Sequence, residues 1–264
     1  MVLLHKLVDE KKHDIVVAHF DHGIRPESDA DARFVEGLAK CYGLTCEIKR
    51  EELGSRASEA LARERRYAFL HEMALKHKAT IATAHHADDV VETIAINVQR
   101  GTGWRGLAVL DAPSIIRPLL SLTKQDIYEY ALARNLEWVE DETNATDAYL
   151  RNRLRRRMKT LLSEKTRAKL VSLRERQLEL KRAILTEEHA ILSGGAPYSR
   201  YLFTHIDIEV ATELLRYLTK QNITRPQAER ALHAIKTMQA GAVSEVGAGI
   251  RLQFTQRDFT IQTP

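Results

Sequence analysis

The chain has 264 residues, 44% of them hydrophobic, and 40 Lys and Arg against 36 Asp and Glu give a net charge of +4. That length suggests about two domains, and a mean hydropathy of -0.33 with no long apolar run argues against a membrane span. No secretory signal is visible before Lys6 and Asp9, and the two cysteines, Cys41 and Cys46, form neither a CxxC pair nor a disulfide framework.

Met1 to Leu7 reads as a helix. Residues 15–20, 44–48 and 81–83 read as strands, and 114–117 as a weaker fourth. Helices are expected at 29–42, 58–77, 89–99 and 124–134. Strands alternating with helices indicate an α/β fold, a doubly wound parallel sheet. A loop at 141–146 leads into a helix at 148–162. The charged stretch 163–191 reads as a helical linker, and Ser193-Gly194-Gly195 as a turn. Helices at 206–220 and 225–238, the second with Pro226 in its first turn, and alternating strands at 242–246, 250–254 and 259–262 make a small α+β domain. The expected partition is therefore 1–162, 163–192 and 193–264.

The most informative stretch is Ala84-His85-His86-Ala87-Asp88-Asp89-Val90-Val91-Glu92-Thr93, where a strand hands over to a helix. Asp88 and Asp89 share a helical face with Glu92. In parallel sheets ligands bind at the carboxyl ends of the strands. Carboxylates crowded there need an amine, a metal or a magnesium–phosphate group to stay ionised. The plainer alternative is a solvated first turn that complements the helix dipole. Arg100-Gly101-Thr102-Gly103-Trp104-Arg105-Gly106 follows, and suits close backbone approach to a phosphate or a flipped base. An ordinary helix C-cap explains its first glycine equally well. His85 and His86 are not read as a zinc site, because adjacent histidines point apart and no third ligand stands three or four residues away. One should line a pocket while the other packs.

Basic residues cluster at Arg63, Arg65 and Arg66, and at Arg151, Arg153, Arg155, Arg156 and Arg157. Five arginines in seven residues without an acid suit a phosphate backbone better than a solvated helical face.

Together these stretches resemble the tRNA(Ile)-lysidine synthetases of the N-type ATP-pyrophosphatase (PP-loop) superfamily, whose fold is Rossmann-like. The residues at 84–93 and 100–107 resemble HHxDDxxET…RGxGxRGL. Val16 to Arg25 resembles the segment vHhDHGLR, and Glu59 to Tyr67 resembles EaxARxxRY. Arg117-Pro118-Leu119-Leu120, Asp141 to Asn144 and Arg151 to Arg155 resemble RPLL … D-x-(S/T)-N … RNxIR. The resemblance covers about the first 160 residues. It implies a ligase that uses ATP, with Mg2+, to adenylate the wobble cytidine of tRNA(Ile) and then joins free L-lysine to it. AMP and pyrophosphate are released, in the cytoplasm. It assigns catalysis to Asp89 and Glu92, which hold and deprotonate lysine, with Asp88 and Arg151; Asp88 is also a candidate magnesium ligand. ATP falls to Asp21, His22, Arg25, Arg63 and His85. The tRNA falls to Arg100, Arg105, Arg153, Arg155, Arg156 and Arg157, and a homodimer is compatible with the pattern.

The family's SGGxDS phosphate loop does not occur in the chain, whose one Ser-Gly-Gly lacks the Asp-Ser. The expectation is that the first strand and the loop are missing, leaving poor ATP binding, negligible catalysis and lower stability. The alternatives are a PP-loop tRNA thiolation enzyme, for which Cys41 and Cys46 are poor support, and a non-catalytic tRNA-binding fragment.

Overall fold

A computed structural model describes residues 1–23, 28–54, 57–139, 158 and 161–263. It divides into two compact units, 1–177 and 178–264, and the division falls inside the stretch read as a linker.

The first unit is α/β. Helix α1 (Val2–Glu10) precedes strand β1 (Val16–Asp21); helix α2 (Ser28–Cys41) leads to β2 (Thr45–Arg50). The two strands pair in parallel, from Val16 opposite Thr45 to Asp21 opposite Arg50. Helix α3 (Glu59–Lys76) starts at Ser58, whose hydroxyl accepts the Leu61 N–H. Strand β3 (Ile81–Ala82) and helix α4 (Ala87–Gln99) come next, then a 3-10 turn at Trp104–Leu107 and strand β4 (Ile115–Ile116). Strands β3 and β4 form a second parallel pair. Helix α5 (Lys124–Ala133) is held by a reciprocal cap between Thr123 and Asp126.

Helix α4 is buried along Val90, Val91 and Ile94, and Val90, Ile94 and Val109 form one core cluster. Leu170 and Val171 pack against it from helix α6 (Glu164–Ile191). Arg174 of α6 is 9% exposed and donates to the carbonyls of Val109 and Leu110. A second cluster joins Val2 of α1 to Leu119 and to Ala131 of α5.

The second unit has a four-stranded antiparallel sheet, in the order β5 (Tyr198–Ser199), β8 (Asp258–Gln262), β7 (Ile250–Phe254), β6 (Val243–Gly247). Three helices pack on it: α7 (Arg200–His205), α8 (Ile208–Leu218) and α9 (Arg225–Thr237). Strand β7 alternates buried and exposed residues, as a sheet with one covered face requires. Arg200 donates to the carbonyls of Ile235 and Met238, satisfying the C-terminal end of α9, and to that of Thr255 just after β7.

Among the described residues, no helix is long and apolar enough to cross a membrane. The helix expected at 206–220 is present as α8, which starts where Asp207 accepts the Glu209 N–H, and the short helix α7 stands before it where the sequence reading has none. The turn at Ser193 to Gly195 is present, with the Gly195 N–H donating to Leu192.

Candidate active site

Two groups of candidate residues in the first unit follow the ends of its parallel strands β1 and β3. At the end of β1, the Asp21 carboxylate is 3% exposed. It accepts the Gly23 N–H at 2.9 Å and lies 3.5 Å from Arg50. Burial pushes this carboxyl up, but the Gly23 N–H, the Ser28 side chain and then the Arg50 guanidinium outweigh it, so it ionises more easily than usual. Gly23 has φ +60, and a side chain there would run into the Glu52 carboxylate. Arg50 is held by Asp29 and Glu52 as well. Asp21 is thus fixed inside a network of charges, with His22 edge-on to Phe20.

At the end of β3, Thr83 bonds to His85 Nδ1 at 2.8 Å. The α4 cap then forms, with the His86 N–H donating to Asp89 Oδ2 at 2.9 Å. The His86 ring lies between two carboxylates, with Nδ1 3.6 Å from Asp88 and Nε2 3.6 Å from Asp89. Asp88 also accepts the Lys124 backbone N–H at 2.8 Å and pairs with Arg167 at 2.7 Å. The His86 ring, then the Lys124 N–H and Arg167, hold the Asp88 carboxyl well below the usual carboxylate range against the opposing effect of burial. Glu92, one turn on, is 3% exposed.

A cavity of about 610 Å³ lies beside this turn, with His19 of β1, Asp31, His86, Leu119, Lys124 and Trp138 on its wall. Burial pushes His19 down, with Asp21 and Asp31 opposing. The cavity therefore joins the ends of β1 and β3 by way of His19 and His86. Its wall does not include Asp21, His22, Arg63, His85, Asp89 or Glu92. Arg63 lies 4.8 Å from the Tyr67 ring centroid on α3. Arg100 caps the end of α4, and Arg105 lies over Trp104. Gly106 approaches Thr102 so closely that a side chain would clash. Arg25, Arg151, Arg153, Arg155, Arg156 and Arg157 lie outside the described residues, as do Asp141 to Asn144 and most of the helix expected at 148–162.

Among the described residues, no group of three His, Cys, Asp or Glu side chains could hold a metal ion. The Asp88 oxygens are engaged by Arg167 and Lys124, so these residues do not by themselves fit magnesium. Sequence reasoning missed Arg167, which stands 79 residues from its partner in a stretch that reads as a charged helical linker.

The family model of the PP-loop domain matches residues 1–162. Curated relatives carry the name tRNA(Ile)-lysidine synthase. The chain is 42% identical to the one from Exiguobacterium sibiricum over 170 residues, 62% of this chain and 41% of that protein. It is 37% identical to the one from Bacillus subtilis over 182 residues, 63% of this chain and 39% of that protein. The Thermus thermophilus protein is 41% identical over 172 residues, 62% of this chain and 34% of that one. The chain thus matches about two fifths or less of the length of these relatives. A solved structure of the U34-tRNA thiolase NcsA from Methanococcus maripaludis, with its 4Fe-4S cluster, superposes with a TM-score of 0.55 at 18% identity, covering 67% of each chain.

Proposed function

The chain belongs to the PP-loop family, and on that premise we propose that it carries the ATP-using part of a tRNA(Ile)-lysidine synthase. The start of α4 carries this reading: Asp88 and Asp89 in its first turn and Glu92 one turn on follow a parallel strand, within the matched region of a chain whose relatives bear that name. In the proposed reaction the C2 oxygen of the wobble cytidine attacks the α-phosphorus of ATP and pyrophosphate leaves. The lysine ε-amine then attacks C2, and AMP leaves. Free lysine arrives as an ammonium and must lose a proton before it can attack. Asp89 and Glu92 hold that ammonium, and one of them accepts its proton. Asp21 and His22, at the end of β1, face the nucleotide. The cations at Arg100, Arg105 and 151–157 meet tRNA phosphates. Magnesium would supply charge neutralisation at the phosphates, and no step here is derived through it. Free L-lysine, a cytoplasmic setting and a homodimer belong to the same proposal.

The test reads ATP-dependent incorporation of labelled lysine into a tRNA(Ile) transcript. The 264 residues contain no Ser-Gly-Gly-x-Asp-Ser. Turnover is therefore read in a chain with a strand and that loop joined ahead of Met1, and the 264 residues are read for transcript binding. Asp89→Asn should abolish incorporation while binding persists, and wild-type turnover would remove Asp89 from this role. Absence of incorporation by the extended parent would overturn the function itself. Replacing Arg155, Arg156 and Arg157 together with Gln should flatten the salt dependence of binding by about one unit of slope per lost phosphate contact. An unchanged slope would make that run a solvated face.

A further inference from the structure

One guanidinium ties together two separate stretches of the first unit. Arg167 of α6 donates from Nη1 to Asp88 Oδ1 at 2.7 Å, from Nη2 to the Met158 carbonyl at 3.0 Å, and from Nε to the Leu162 carbonyl at 3.4 Å. The second Asp88 oxygen accepts the Lys124 N–H at the start of α5. The Arg167 and Asp88 side chains are each 23% exposed, so the pair is largely withdrawn from solvent. In that setting the carboxylate needs its partner, because losing it strands a charge in a poorly solvated site. A planar fork of donors can serve a carboxylate and two carbonyls at once, which an ammonium cannot do in the same geometry.

We propose that Arg167 is a positioning residue. It clamps Asp88 so that the start of α4, with Asp89 beside it and Glu92 one turn on, stands in fixed relation to Met158. The clamp thereby ties the start of α4 to the start of α5 and to the carbonyls of Met158 and Leu162. This rests on the tRNA-modifying reading above. Asp88 serves in it as the anchor of the carboxylate turn.

The test uses the full 264-residue chain with Arg167→Met, Arg167→Lys, Asp88→Asn and the Asp88→Asn/Arg167→Met double variant, well below their melting temperatures. The Lys124 N–H donates to Asp88 and the Leu162 N–H to the Met158 carbonyl, and Arg167 holds both acceptors, so exchange at these two amides should quicken by about tenfold in Arg167→Met. Amides of the second unit should keep their rates. Arg167→Lys should restore the Lys124 amide in part and the Leu162 amide little. Affinity for a tRNA(Ile) transcript should fall by about tenfold in each single variant, and no further in the double variant, as for two members of one interaction. Unchanged exchange, or additive losses in the double variant, would overturn the clamp. Faster exchange with unchanged transcript affinity would overturn the positioning role and leave Arg167 a purely structural tie. If the parent chain binds no transcript, the tRNA reading fails and the positioning role falls with it. The exchange rates then still report whether the clamp exists.

Discussion

Asp88 shows how one residue couples charge to folding. Its carboxyl is held well below the usual range by the His86 ring, the Lys124 N–H and Arg167. In the unfolded chain it returns to an ordinary value of about 3.9. A depressed folded value means that ionised Asp88 stabilises the fold above that ordinary value, and that this contribution is lost as pH falls toward the folded one. The thermal midpoint of the parent should therefore fall more steeply between about pH 5 and pH 2.5 than that of Asp88→Asn. Parallel curves from scanning calorimetry would show that the pair contributes nothing to the acid limb.

At the scale of an element, α4 gives the clearest case of one side chain with two duties. Asp89 is a proposed lysine-binding residue, and its Oδ2 also caps the helix by accepting the His86 N–H. Asparagine keeps an oxygen acceptor at this position and removes the charge, whereas alanine removes both. Asp89→Ala should therefore cost about 1 kcal/mol of stability, and Asp89→Asn only a few tenths of that. Denaturant titration of the two variants checks this, and equal losses would mean that the cap is not a source of stability. The same element explains what the sequence could disclose. The Asp88, Asp89 and Glu92 spacing places them on one helical face, and β1 to β4 appear where short apolar runs lie between helices. Two-residue strands such as β3 have no periodicity of their own, so their pairing with β4 needs the structure. The histidines were legible only as a pair with divided duties, and His86 is the one on the cavity wall. The charged helix α6 looks solvated by composition. Arg167 and Arg174 turn inward from it because backbone carbonyls and a carboxylate far away in sequence await them. Strand β5 and helix α7 are too short for any pattern to rise above the surrounding turn.

At the scale of the whole molecule, each unit has a core of its own. The second is built around Phe259, which is fully buried, with its ring 5.2 Å from Phe203, 5.7 Å from Tyr198 and 6.5 Å from Phe254. Leu214, Leu215 and Ile235 close that core from α8 and α9. The first core instead depends on α4, on Val109 and on α6 residues before the division at 177. A large-to-small change at Phe259 removes both transfer energy and packing contacts, at a cost of about 3–5 kcal/mol. That is a large share of the stability of a domain this size, about 5–15 kcal/mol. Phe259→Ala should thus release amide protection in β7, β8 and α9 at a temperature where the α4 amides remain protected. Exchange measured by mass spectrometry across both units would show it. Simultaneous loss of protection in α4 would mean that the two cores fold as one cooperative body, and that the carboxylate turn depends on the second unit as much as on its own helix cap.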